Sequence, residues 1–130
     1  MTDAKPHNRD KNYRIKSDSP FLKALGVSND AGDIKPNKYG KYRQICRFVE
    51  IFIERIERTQ AVKQQRVKVL DIGSGKGYLT FAMYDQLAKA GLNPKIDGVD
   101  TRSEMVDLCN QAAQTSGFEN LAFHNMKAED

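Results

Sequence analysis

The apolar residues of this chain recur at two spacings, and each spacing predicts a different kind of element. From Asn37 to about Arg58 they recur every three or four positions, which is typical of a half-buried helix. The run from Val67 to Ile72 is short and rich in β-branched residues, which predicts a buried parallel strand. A second helical stripe over residues 78–88 ends at Gly91, and a second strand follows over 95–100.

A third helix and a third strand complete the pattern. The helix opens at Thr101, whose spacing to Glu104 is that of a capping box, in which each side chain accepts a backbone N–H bond. The helix ends near Gly117, and a strand begins at Leu121. The predicted inner face of the helix consists of Met105, Leu108, Cys109 and Ala112.

The predicted order, one helix followed by β-α-β-α-β, indicates an α/β fold. Right-handed crossovers make the three strands parallel, in the order 3-2-1, with helices on both faces of the sheet. Three such strands form half of a doubly wound sheet, and the far edge of the first strand lacks a neighbour. We therefore expect the sheet to be incomplete, with more chain after Asp130 or self-association through the exposed edge.

The first 36 residues differ from the rest. Residues 1–20 are polar, with Tyr13 and Ile15 as the only sizeable apolar groups, and predict an extended, poorly anchored arm. One helical turn packed on the main body and a loop of turn formers over residues 28–33 follow. We divide the chain into this arm, turn and loop (1–36) and a domain (37–130) that carries an N-terminal helical extension.

Composition excludes several classes of protein. The 130 residues, 39% hydrophobic with a mean hydropathy of −0.65, suffice for one domain or part of one. No apolar run is long enough to span a membrane, and the polar start lacks the apolar centre of a signal peptide. Two cysteines, Cys46 and Cys109, make no disulfide framework, so we expect a cytoplasmic protein. His7 and His124 have no partner at metal-ligand spacing, and we expect no metal.

Charge is distributed unevenly along the chain. The first 70 residues carry a net charge of +8 and the last 60 a net charge of −4. The acidic half suits a cationic ligand, whereas the basic half suits phosphates or is solvated surface, which the pattern favours. Lys41, Arg43 and Gln44 are placed where they could approach a ligand carboxylate, but the pattern favours a solvated helix face. Lys76 is interpreted as exposed.

The first strand leads through Asp71 into a turn, Gly73-Ser74-Gly75-Lys76-Gly77, and directly into the second helix. Glycines at alternate positions let the backbone turn sharply and come close to a ligand. A phosphate-binding P-loop is excluded, because Leu70 occupies the place of its first glycine and Gly77 that of its Ser or Thr. A dinucleotide fingerprint fits only in part, because Tyr78 stands where its third glycine belongs.

The segment Val69-Leu70-Asp71-x-Gly73-x-Gly75-x-Gly77 resembles the first motif of class I S-adenosylmethionine-dependent methyltransferases. Ile96-Asp97-Gly98-Val99-Asp100 looks like their second strand ending in an acid, and Lys127-Ala128-Glu129-Asp130 like the acid after their third. More narrowly, GSGKGYLTFAMYD and NKYGKYRQICRFVEIF are similar to bacterial methyltransferases of largely unassigned substrate. That similarity covers about residues 10–130, and further sequence usually flanks this region in that group.

The resemblance implies a Rossmann-like domain that binds S-adenosylmethionine and contributes to methyl transfer. Asp71 would bind the methionine ammonium, and Asp100 would accept both ribose hydroxyls. Asp130 would bind the adenine amino group, with Met126 or a residue near Thr101–Arg102 covering the ring. The backbone of Gly73, Gly75 and Gly77 would make room for methionine and ribose, and Ser74 and Tyr78 are further candidate cofactor-binding residues.

The acceptor and the catalytic residues stay open. The acceptor would be RNA, a protein or a small molecule, and acceptor-facing residues in this superfamily often follow a fourth strand. Two alternatives remain: a dinucleotide-dependent oxidoreductase, and a non-catalytic module that binds RNA or protein through its basic half. Stabilisation by NADH favours the former, and salt-sensitive RNA binding without any response to S-adenosylhomocysteine favours the latter.

Overall fold

The computed structural model describes residues 15–59, 63 and 65–127, and the predicted order of helices and strands is confirmed there. The elements are α1 (Pro20–Ala24), a 3-10 turn (Pro36–Lys38), α2 (Tyr39–Ile56), β1 (Val67–Ile72), α3 (Tyr78–Lys89), β2 (Pro94–Asp100), α4 (Ser103–Ser116) and β3 (Leu121–Asn125). The strands are parallel and β2 lies between β1 and β3, which is the predicted order 3-2-1. Both glycine stops are found, since Gly91 and Gly117 have positive φ just after α3 and α4.

Helices α3 and α4 lie on the same face of this sheet, so the prediction of helices on both faces is wrong for the described residues. Successive right-handed crossovers from β1 to β2 to β3 step in one direction, which places both connecting helices on one side. The ring of Phe81 on α3 stacks on that of Phe123 on β3, with 5.6 Å between centroids. Asn110 on α4 exchanges two hydrogen bonds with the backbone of Phe123, and α2 packs on α3.

Strand β1 is not the fully buried strand that its apolar run predicts. Val67 is buried on the helix-covered face, but Leu70 and Ile72 on the opposite face are 63% and 60% exposed. The run resembles a strand covered on both sides, whereas the described residues cover only one. The outer edge of β1 also has no strand beside it among these residues, as expected from the sequence.

The start and inner face of α4 differ from the prediction. The N-cap is Arg102 rather than Thr101 and has no side-chain cap bond, so the capping box is not formed. A carboxylate oxygen of Asp100 instead accepts the Arg102 N–H at 2.9 Å. Leu108 is 48% exposed rather than inward-facing, because the buried positions at helical spacing are Val106, Cys109, Ala112 and Ala113.

The segment before α2 is anchored to the domain from Ile15 onward. Ile15 is fully buried, and its carbonyl accepts a hydrogen bond from the Tyr42 hydroxyl at 2.6 Å. In α1, Phe21 is fully buried and its ring stacks on Phe81. The expectation of a poorly anchored arm is therefore wrong for residues 15–20, while residues 1–14 lie outside the described residues. The division at residue 36 stays a prediction.

Three further features concern the classes of protein considered above. Cys46 and Cys109 are both buried and free. No group of three metal-ligating side chains comes together in the part of the chain that the structure describes. None of the described helices has the length and apolar character needed to cross a bilayer.

Candidate functional site

The glycine-rich turn joins β1 to α3 at the carboxyl edge of the sheet. Gly73, Gly75 and Gly77 all have positive φ, of 77°, 60° and 80°, a conformation that other residues rarely adopt. A Cβ on Gly77 would also lie 3.0 Å from the Cys109 sulfur and 3.1 Å from the Phe81 ring. Backbone conformation therefore requires all three glycines, and packing against α4 further requires the third.

Most of the N–H groups of this turn are already bonded within the protein. Those of Gly73 and Ser74 donate to the Val99 carbonyl at 2.7 and 3.1 Å. That of Gly75 donates to an Asp100 carboxylate oxygen at 2.8 Å, and that of Gly77 to the Ser74 carbonyl at 3.0 Å. A phosphate-binding loop instead points its N–H groups at the anion. The turn is thus tied to β2 and lacks the open amides of a phosphate cradle.

Asp71, at the end of β1, faces a cavity of about 310 Å³ next to the turn. Its Oδ2 accepts a hydrogen bond from the Thr80 hydroxyl at 2.6 Å, and Oδ1 bonds to no other described residue. The cavity brings together the predicted residues Asp71, Gly73, Ser74, Gly77 and Tyr78. Lys41, Gln44, Phe48, Lys76, Leu79 and Met83 complete its lining. A half-buried carboxylate with spare acceptor capacity favours a ligand with a cationic donor.

Lys41 and Gln44 both line this cavity; Gln44 and Arg43 are exposed, as predicted for a solvated helix face, and only Lys41 departs from that prediction. Lys41 is only half-exposed. Its Nζ donates to the Gln44 side-chain oxygen at 3.1 Å and lies 5.0 Å from the centroid of the Tyr78 ring. The packing of α2 against α3 produces this placement, which the spacing of apolar residues within one helix cannot predict. Lys76 also lines the cavity and is exposed, as expected.

Asp100, at the end of β2, is buried and fully engaged. Its Oδ1 accepts bonds from the backbone N–H and the Nε of Arg102, at 2.9 and 3.0 Å. Its Oδ2 accepts bonds from Gly75 N–H at 2.8 Å and from Arg102 Nη2 at 3.2 Å. These donors, with the Arg102 side chain first, hold the pKa of Asp100 far below its ordinary value. Asp100 is therefore ionised at neutral pH, and the Arg102 guanidinium donates to both of its carboxylate oxygens.

Two residues beneath the turn fix its position. A Cβ on Gly98 would lie 2.7 Å from the Phe123 ring and 3.0 Å from the Ser74 hydroxyl, so the turn packs directly on β2 there. The Cys109 thiol donates to the Gly75 carbonyl at 3.5 Å. Burial, together with the nearby Asp100 charge, raises the pKa of Cys109 to about 11, so the thiol is neutral. The helical spacing predicted Cys109 on the buried face of its helix, but nothing in the sequence indicates that it lies beneath the turn.

The other predicted site residues are distributed unevenly. Thr101 is exposed and is not part of the cavity lining. Met126 is 43% exposed just after β3, and its N–H donates to the Asp100 carbonyl at 3.1 Å. Asp130 lies outside the described residues. His124 lies on the uncovered face of the sheet and bonds to Asp97 at 2.8 Å. Bonding to His124 is the main cause that lowers the pKa of Asp97.

Comparison with known families identifies the domain to which this arrangement belongs. A family model described as a methyltransferase domain matches residues 40–130, which is more than half of the chain. The chain belongs to this methyltransferase-domain family. The matched region begins at the start of α2 and includes the glycine-rich turn, Asp71 and Asp100. Lys41 and Gln44 therefore lie within the methyltransferase domain rather than in an appended segment.

Two solved structures illustrate the similarity. The YcgJ protein of Bacillus subtilis is 34% identical over 48% of this chain, with a TM-score of 0.40. A coclaurine N-methyltransferase, solved with N-methylheliamine and S-adenosylhomocysteine, is 15% identical over 88% of this chain, with a TM-score of 0.49. The chain spans 24% and 33% of the lengths of these two proteins. No curated protein matches the chain significantly.

Proposed function

We propose that this methyltransferase domain binds S-adenosylmethionine at the carboxyl edge of its sheet and contributes to transfer of the methyl group to an acceptor. The observation that carries the proposal is the glycine-rich turn, in which the N–H groups of Gly73, Ser74, Gly75 and Gly77 bond within the protein while Asp71 faces the adjoining cavity. A diphosphate there would find few free backbone donors on the turn and a carboxylate nearby. A ligand with an ammonium group would find a suitable acceptor.

Asp71 and Asp100 divide the work of binding in this proposal. Oδ1 of Asp71 accepts a hydrogen bond from the methionine ammonium, while Thr80 holds Oδ2. The Asp100 carboxylate accepts the two ribose hydroxyls. Because four donors already occupy Asp100, the Arg102 guanidinium must withdraw when ribose arrives, while the two backbone N–H groups stay. The predicted adenine contacts, Asp130 and Met126, complete the site in this proposal.

Bound S-adenosylmethionine supplies a methyl group that its sulfonium has already activated. The chain's own contribution is to orient the ligand and exclude water with the residues that line the cavity, among them the turn and Tyr78. We assign no catalytic residue, and RNA, a protein and a small molecule all remain possible acceptors. We also infer a cytoplasmic location, which the two buried free cysteines support.

Calorimetric titration of the full-length protein with S-adenosylhomocysteine and, separately, with NADH tests the proposal. We expect saturable binding of S-adenosylhomocysteine and none of NADH. Binding of NADH alone would overturn the proposal in favour of a dinucleotide enzyme. RNA binding that weakens with salt, with no binding of S-adenosylhomocysteine, would instead support a non-catalytic module.

A further inference from the structure

We propose that Lys41 binds the carboxylate at the amino-acid end of the ligand, so that the site recognises the whole zwitterion and selects ligands that retain it. This inference rests on the proposed function and assigns a specificity-determining residue to the same site. The observation behind it is that Lys41 and Asp71, of opposite charge, line one cavity. A free amino acid carries the same two charges on one carbon, an ammonium for Asp71 and a carboxylate for Lys41.

The environment of Lys41 holds its ammonium in place without neutralising it. The Gln44 side-chain oxygen accepts one bond at 3.1 Å, and the face of the Tyr78 ring lies 5.0 Å from Nζ. Both partners are uncharged, and no described carboxylate lies within ion-pairing distance of Lys41. Nζ has three donors, of which Gln44 takes one. Lys41 is therefore without a described carboxylate partner and has spare donors at the cavity.

The other cations of α2 that we compare with Lys41, and Arg58 just beyond it, are either paired with a carboxylate or exposed outside the cavity. Arg47 is paired with Glu50 at 3.4 Å, and Arg58, just beyond α2, with Glu54 at 3.6 Å, all on the exposed surface. Arg43 is exposed and does not line the cavity. The rival cation is Lys76, which lines the cavity from the turn but is exposed. A half-exposed ammonium held by two neutral partners is better preorganised for a carboxylate than a solvated one.

Affinities for three ligands test the assignment in the full-length protein. These are S-adenosylhomocysteine, its decarboxylated analogue, which keeps the ammonium, and 5′-methylthioadenosine, which lacks the amino-acid group. We expect the wild type to prefer S-adenosylhomocysteine over the decarboxylated analogue by about 10-fold or more, as for hydrogen bonds between charged groups. Lys41→Met should remove this preference by weakening S-adenosylhomocysteine alone, and Arg43→Met, its matched control, should keep it.

The outcomes separate this inference from the proposed function. If the wild type binds S-adenosylhomocysteine but Lys41→Met keeps the full preference, the assignment to Lys41 is wrong and the proposed function stands. Loss of the preference in Lys76→Met instead would transfer the role to Lys76. If the wild type binds no S-adenosylhomocysteine, both proposals fail together. Should Lys41→Met not fold, as judged by its melting curve, Lys41→Gln replaces it in the same comparison.

Discussion

The carboxyl ends of β1 and β2 each carry an aspartate, but the two are in opposite states. Asp71 is half-buried, has one hydrogen bond from Thr80 and faces a cavity. Asp100 is buried and accepts four bonds, two of them from the Arg102 side chain. One end of the proposed site is therefore open to a ligand as it stands, whereas the other would first have to exchange an internal partner.

Because the two aspartates differ in their hydrogen-bond partners, ligand binding at each would have a different free-energy cost. At Asp71, a ligand adds a bond to spare acceptor capacity, so binding there costs little rearrangement. In the proposed site, ribose would replace hydrogen bonds that Asp100 already accepts within the protein, and the net gain would be the difference between the two sets. Ligands that lack one or the other part of S-adenosylhomocysteine can test each end separately.

The largest effect is expected at Asp100, because its carboxylate both holds the Gly75 N–H of the turn and is the proposed acceptor for ribose. Asp100→Ala should weaken the binding of S-adenosylhomocysteine by about 1.5–3 kcal/mol, the range for hydrogen bonds to charged groups. Because 5′-methylthioadenosine keeps the ribose, its affinity should fall by a similar factor. Asp97→Ala is the matched control, since Asp97 lies on the same strand but on the uncovered face with His124. Unchanged affinities by calorimetry would remove Asp100 from the site.

A smaller and more selective effect is expected at Asp71. Asp71→Asn keeps the side-chain shape and an acceptor for Thr80 but loses the charge, and should weaken S-adenosylhomocysteine by about 10-fold. The affinity for 5′-methylthioadenosine, which has no ammonium, should stay the same. Equal losses for both ligands would show that the variant damages the turn rather than one contact. The two aspartates would then not act on different parts of the ligand.

Removing the Arg102 side chain, which competes with the ligand for Asp100 in the proposed site, should strengthen ligand binding. Arg102→Ala is expected to tighten the binding of S-adenosylhomocysteine by about two- to fivefold, because the ribose hydroxyls no longer compete with the exposed guanidinium for the Asp100 oxygens. The Arg102 backbone N–H still donates to Asp100 in this variant. Isothermal titration at matched salt measures the change. Weaker binding would mean instead that the guanidinium contacts the ligand, for example by covering the adenine.

The smallest effect concerns pH. Because the pKa of Asp100 in the folded protein lies below its ordinary value of about 3.9, the bonds to its carboxylate stabilise the fold fully above that pH. The stabilisation is lost as pH falls further toward the folded pKa. Urea unfolding should show the advantage of wild type over Asp100→Asn to be largest near neutral pH and to shrink in acid. A constant difference would mean that Asp100 is not preferentially ionised in the folded state.

Much of the fold could be predicted because it depends on local patterns. The helical stripes, the glycine stops and the short apolar runs each gave an element in the right place. The exposure of Leu70 and Ile72 could not be predicted, because an apolar run does not say which face of a sheet is covered. The placement of α3 and α4 on one face, by contrast, follows from the right-handed rule once the direction of each crossover is considered, and the prediction of helices on both faces did not consider it.

For the site, the sequence predicted which residues lie together better than it predicted their hydrogen-bond partners. The spacing of Asp71 and the glycines placed them on one turn, and the cavity brings most of them together. The sequence offered Lys41 as a group that could approach a ligand carboxylate but favoured a solvated helix face, because its position depends on how α2 packs against α3. It also did not predict the occupation of Asp100 by Arg102, which depends on the conformation adopted by one exposed side chain.

The bonds from the turn to β2 have a consequence for folding. The acceptors for Gly73, Ser74 and Gly75 are Val99 and Asp100, which are supplied about 25 residues later in the chain. Such non-local contacts form only after the intervening loop has closed. A chain that has docked β1 and α3 but not β2 would therefore hold the whole glycine motif and still have no binding site. We expect these three amides to exchange with deuterium only when β1 and β2 separate, and the ligand to slow that exchange.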